Sequence, residues 1–200
     1  AEDMKDIAGN LKMAKGSLDL QAAVDSPEAA ALRQRISTLK PQDVTAFSLQ
    51  QARVGLYLHG TATGWTSVVG NPGARAMNAR FDYHITPVPV PMDEKVAENF
   101  AAYAEQKVDY LKKNGARVVN MSWRITEPQI ATMLAAAEPD VEKRRTRARA
   151  IFDRMNGALE TALRSAPEIL FVAGAGNEDE DVDFVRSFPA GLNLPNLVTV

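Results

Sequence analysis

The sequence contains no cysteine. That excludes a disulfide scaffold and a thiolate metal site, but it does not fix the compartment, because many exported bacterial-type proteins also lack Cys. Histidine is scarce: His59 and His84 are the 2 in the chain. An excess of either charge is missing too. Lys and Arg number 23 against 25 Asp and Glu, a net charge of −2, so no global field selects nucleic acid or an anionic membrane. No apolar run approaches the roughly 20 residues that a membrane span requires. The N-terminal AEDMKDIAGN has no charged-then-apolar signal pattern.

What is present is ordinary globular composition, 46% hydrophobic and 24% charged over 200 residues. That suffices for one sizeable core or a large piece of one. The first residue is not Met, and LPNLVTV stops inside an apolar run. Both features lead us to expect a chain processed or cut from something longer. There is no internal repeat.

Residues 1–58 read as helix and loop. Ser26-Pro27 is an N-cap followed by proline at the first helical position. Ala29, Leu32, Ile36 and Leu39 then mark one helical face, which Pro41 stops or restarts. A short helix is expected over 62–69, ended by Gly70-Asn71-Pro72-Gly73, and a strand over 74–81. The prolines of ITPVPVP, 85–91, make that stretch a connector. Val96, Phe100, Ala104, Val108 and Leu111 predict a helix capped at Asn114-Gly115. RVVNMSW, 117–123, predicts a strand. Ile130, Met133, Leu134 and Ala137 mark one further helix. Ile151, Met155, Leu159 and Ala162 mark a longer one that starts near Pro139-Asp140. EILFVAG, 168–174, and NLVTV, 196–200, are the remaining strands.

Apolar strands alternating with helices predict an α/β fold with a parallel sheet covered on both faces. Sites in such sheets lie outside the carboxyl ends of the strands. Ser122-Trp123 and Gly174 to Asn177 should therefore share one edge. Asn177 closes the small-residue turn GAGN, and its amide is a neutral donor suited to a developing oxyanion; the same residue also fits a plain turn. His59 precedes Gly60-Thr61 and has the near-neutral pKa of a general base, although a packed or surface histidine is the commoner case.

Three stretches together resemble the subtilisin-like serine peptidases: His59-Gly60-Thr61 with Gly64 and GNPGARAMNAR, then RVVNMSW, then ILFVAGAGN with FPAGLNLPNLVTV. Their order and spacing carry the resemblance, which covers 54–200. It implies a three-layer sandwich, mostly parallel with helices on both faces and incomplete at both ends. Residues 1–53 would be a helical or loop leader or insertion, and 54–200 a partial peptidase domain. By the same resemblance His59 is the catalytic base and Asn177 donates to the oxyanion. Ser122, Trp123 and Arg124 offer backbone to an extended substrate, and Ala173, Gly174 and Gly176 form another cleft wall. The implied reaction is peptide-bond hydrolysis by Ser-His-Asp acyl transfer on a polypeptide substrate, with no required cofactor. The implied location is secreted or periplasmic.

The sequence also departs from the family. The second His expected three residues after the base is Ala62, and Trp123 and Arg124 stand where a glycine commonly follows the Ser of the cleft strand. Neither the Ser box nor the strand-Asp box occurs in these 200 residues. The chain is therefore expected to be inactive alone. A sheet lacking neighbours should also self-associate through its edges.

Glu178, Asp179, Glu180, Asp181 and Asp183 could supply oxygen ligands for Ca²⁺ or attract basic substrate side chains, but their spacing matches no EF-hand and a solvated acidic loop is the commoner case. The basic run Lys143, Arg144, Arg145, Arg147, Arg149 and Arg154 is interleaved with buried positions and reads as a solvated helix face rather than a nucleic-acid surface. Asp179 falls where a dinucleotide loop needs its third glycine, which removes that function. Trp65 reads as core or interface. Two other functions remain open: a catalytically dead, subtilase-like peptide-binding module, and an unrelated α/β enzyme using His59 and the acidic loop.

Overall fold

The computed structural model describes residues 6–80, 90–177 and 184–200. These fall into two compact units, the first running to Ala74 and the second beginning at Arg75. Most of the 85–91 connector, His84 and the acidic run from Glu178 to Asp183 lie outside the described residues.

The first unit is helical: α1 (Ile7–Gln21), α2 (Pro27–Ser37) and α3 (Pro41–Val68). Ser26 accepts from the Ala29 amide at 3.0 Å with Pro27 behind it, so the expected N-cap forms. Ala29 and Leu32 are buried, but Ile36 is exposed, so the apolar face of α2 is shorter than its spacing suggests. A Cβ on Gly16 would stand 2.5 Å from the Glu28 carbonyl oxygen, so α1 and α2 meet through backbone. Gln50 on α3 donates to the Asn10 side chain at 3.0 Å, tying α3 to α1.

Helix α3 differs from the expected loop and short helix. It runs 28 residues without a break, across residue 54 and through His59-Gly60-Thr61. No proline interrupts the sequence between Pro41 and Pro72. Each interior glycine costs a helix only about 1 kcal/mol, too little to stop it.

The second unit is α/β. Its elements are α4 (Glu94–Lys113), β1 (Val118–Met121), β2 (Ile125–Thr126), α5 (Glu127–Met133), α6 (Val141–Arg164), β3 (Leu170–Ala173), β4 (Ser187–Phe188) and β5 (Leu197–Thr199). Residues 74–80 form no strand, contrary to expectation, and are exposed throughout. Their Ala, Arg and Asn have little β preference and find no neighbour to pair with.

Helices α4 and α6 end where capping chemistry places them. Asp93 accepts from the Val96 amide at 3.0 Å and Asp140 from the Lys143 amide at 2.9 Å. Gly115 takes φ +74 beyond α4. Thr126 and Gln129 form a reciprocal capping box on α5. That helix stops at Met133 and leaves Ala137 exposed.

The sheet has the order β1-β3-β5 and is parallel throughout, with Val119 opposite Phe171 and Phe171 opposite Leu197. Met121, Phe171 and Ala173 point into a core shared with Phe100, Ala104 and Val108 of α4 and with Ile151, Phe152 and Met155 of α6. Phe188 sits at its centre, 5.7 Å from Phe100 and 5.2 Å from Phe152 between ring centroids. Burying an aromatic or aliphatic side chain of this size contributes roughly 1.5–3 kcal/mol. The opposite face is different. Val118, Leu170, Val198 and Val200 are 61%, 41%, 47% and 74% exposed, so α4 and α6 cover one face only. The expectation of helices on both faces came from apolar strands alternating with helices; among the described elements only one face is covered.

Charge pairs join α4 to α6. Arg147 grips Glu94 with two bonds of 2.7 Å, which hold the Glu94 carboxyl down at about 2. Arg154 reaches Glu98 at 3.3 Å. Arg145, Arg147, Arg149 and Arg154 of the basic run thus face neighbouring carboxylates, while Arg144 donates to the Glu138 carbonyl at 3.0 Å.

One amide organises the far end of α6. Asn196 Nδ2 faces the carbonyls of Leu163, Ala166 and Ile169 at 3.2, 3.0 and 3.2 Å. These carbonyls lie at the end of α6 and in the linker to β3, so Asn196 ties α6, β3 and β5 together. Replacing Asn196 by Ala should lower the unfolding free energy by about 1–3 kcal/mol, and Asn196→Asp should not restore it, because a carboxylate cannot donate. Urea unfolding checks this: a midpoint unchanged in both variants would contradict the role assigned to the amide.

Candidate functional site

Because β1, β3 and β5 are parallel, their carboxyl ends come out at one edge. Pairing continues past the strands: the Gly174 amide donates to the Met121 carbonyl at 3.3 Å and the Ala175 amide to the Val200 carbonyl at 2.8 Å. Ser122 to Arg124 and Gly174 to Asn177 therefore share the edge that their strand assignments predicted.

Each residue there has a distinct setting. Asn120 Nδ2 donates to the Ser122 hydroxyl at 2.9 Å. Trp123 is half-buried and sets its ring edge-on to Phe188, 6.3 Å between centroids at 84°. The indole thus belongs partly to the core. Ala173 is buried, Gly174 is half-buried, and Gly176 and Asn177 are exposed. Gly176 has φ +128, a conformation that side-chain-bearing residues avoid. The space beside it is filled as well: a Cβ there would lie 2.5 Å from Arg124 Nη1 and 2.6 Å from Cζ. Arg124 Nη1 donates to the Ala175 carbonyl at 3.1 Å.

A short antiparallel pair braces this edge from behind. Ile125 faces Phe188 and Thr126 faces Ser187. Arg186, just before β4, pairs with Glu127 at 2.5 Å and with Asp153, and lies 4.7 Å over the Phe152 ring. Thr199 Oγ1 donates to the Ala190 carbonyl at 2.8 Å, holding the 189–194 turn against β5.

His59 belongs to the first unit. It is exposed, within α3, and its carbonyl accepts from the Thr63 hydroxyl at 3.0 Å in an ordinary helical back-bond. The second unit brings together Ser122, Trp123, Arg124, Ala173, Gly174, Gly176 and Asn177, and no histidine occurs among its described residues. Ser122 therefore has no imidazole within its own unit and does not form a nucleophile–base pair there. This edge brings strand-end backbone, partly paired across the sheet and to Arg124, together with the Ser122 hydroxyl and the Asn177 side-chain amide.

Trp65 is 66% exposed on α3. No cluster of three or more metal-binding side chains occurs among the described residues, and the acidic run proposed for Ca²⁺ is outside them. A groove of about 630 Å³ between α5 and α6 is lined by Glu127, Glu142, Arg145 and Arg149. Its charges are already matched, Arg149 with Glu127 and Arg145 with Glu142. No helix among the described residues is long and apolar enough to cross a membrane.

Sequence reasoning missed the Asn120 bond to Ser122 and the guanidinium over Gly176. Strand alternation could have flagged Asn120, which shares a face with Val118. No local signal marks a side chain that reaches across 51 positions, from Arg124 to Ala175. Comparison of the chain with protein-family models, with curated proteins and with solved structures returned no match.

Proposed function

We propose that this chain is part of a subtilisin-like serine endopeptidase and supplies one wall of its substrate cleft. The supporting observation is the parallel pairing of β1 with β3, which sets the NMSW and VAGAGN stretches side by side at one sheet edge. In this reading Asn177 donates its side-chain amide to the oxyanion of the tetrahedral intermediate. The backbone of 122–124 and 173–176 receives an extended peptide. His59 acts as general base toward a serine that these 200 residues do not contain, and an equally external aspartate orients it. The chain alone is inactive, and the whole enzyme acts outside the cytoplasm.

The finer architecture belongs to the same proposal. The open face carrying Val118, Leu170, Val198 and Val200 calls for a second covering layer, which would complete a three-layer sandwich. The outer sides of β1 and β5 are edges in the described sheet, and they would pair with further strands or with a second copy.

Two measurements follow. A fluorophosphonate, read by intact mass, should leave the 200-residue chain unlabelled. It should label a version extended in both directions to include a Gly-Thr-Ser and a strand-Asp. Label on the 200-residue chain would put the nucleophile within it and overturn the assignment of roles. Light scattering on the 200-residue chain should give a mass well above the 21.7 kDa of one chain; a clean monomer at high concentration would contradict pairing through the exposed edges.

A further inference from the structure

We infer that Arg124 is a positioning residue that sets the 174–177 turn and, through it, the oxyanion-side amide of Asn177. The inference rests on the peptidase reading above and adds a side-chain role where that reading used backbone alone. Arg124 leaves β1 two residues beyond Ser122, while the turn it contacts leaves β3. Its Nη1 donates to the Ala175 carbonyl at 3.1 Å. Its guanidinium occupies the space a Gly176 side chain would take, with Nη1, Cζ and Nε at 2.5, 2.6 and 2.9 Å from that Cβ position. Gly176 itself is held at φ +128. One planar cation thus fixes a carbonyl and packs on the next residue, immediately before Asn177.

The geometry explains two residue choices together. Glycine at 176 both permits the backbone angle and leaves room for the guanidinium. Arginine at 124 supplies a flat, always-charged group with several donors, which a lysine ammonium does not. Oxyanion stabilisation depends on a donor fixed before charge develops. A turn held by Arg124 meets that need; a turn built from Gly-Ala-Gly alone has too much backbone freedom.

A double-mutant cycle on an actively hydrolysing, extended form of this chain tests the inference, with a peptide ester as substrate. Arg124→Met should lower kcat about 10-fold while KM changes less than 2-fold, and Arg124→Lys should recover part of the loss. Asn177→Ala should lower kcat by about 10²–10³. In the Asn177→Ala background, Arg124→Met should have almost no further effect, because its target is gone. Equal losses in both backgrounds, or a change confined to KM, would overturn the positioning role and leave the peptidase reading intact. Absence of ester hydrolysis by the extended wild-type protein would overturn both. If Arg124→Met fails to fold, partial activity of Arg124→Lys with unchanged KM supports the role, and full wild-type kcat in that variant contradicts the need for a guanidinium.

Discussion

The parallel pairing of β1 with β3 constrains everything else in the second unit. A parallel ladder requires a long crossover, here α5 and α6, so that the chain can re-enter the sheet at the same end. The return forces Met121 and Ala173 into register and sends the residues after each to one edge. Ser122 and Arg124 are far in sequence from Gly176 and Asn177, and the two pairs meet only because of that register. A slip of one residue would turn Phe171 out of the core and exchange the two faces.

The register is held by packing on one face and by polar ties at the ends. Phe188 links the layers: it touches α4 through Phe100, α6 through Phe152, and the site edge through Trp123. Core and sheet edge thus meet at Trp123, whose ring serves the core while its backbone follows β1 at the edge. Asn196 and Arg186 secure the same unit from opposite sides, one by feeding helix-end carbonyls, the other by bridging Glu127 and Asp153. The apolar face that α4 and α6 leave open is the feature that most distinguishes this structure from a closed two-layer domain.

Much of the second unit was legible in the sequence, and the reasons are specific. Phe100, Ala104, Val108 and Leu111 repeat at helical spacing and end at Asn114-Gly115, so periodicity and cap agreed on α4. Asp140 did the same for α6. The strands were short apolar runs between those helices. The failures also have causes. His59-Gly60 looked like a loop entering a helix, but nothing there is strong enough to break α3. Residues 74–80 are Ala, Arg, Met and Asn, with little β preference of their own, and among the described residues they find no partner strand. Strands β2 and β4 have two residues each, too few to show a period. Arg124 and Asn196 act on carbonyls distant in sequence, a relation that only the fold creates.

Because the chain lacks cysteine, engineered disulfides read the β1–β3 register against a clean background. Asn120 and Val172 are paired Cα partners on the open face. Neighbouring parallel strands stand about 4.8 Å apart, inside the range a disulfide spans. Asn120→Cys with Val172→Cys should therefore oxidise rapidly to an intramolecular bond. Asn120→Cys with Leu170→Cys, two residues out of register and about 8 Å apart by the same spacing, should not. Cross-linking of the first pair alone would establish the edge on which the candidate site is built. Cross-linking of the second pair, or of neither, would contradict it.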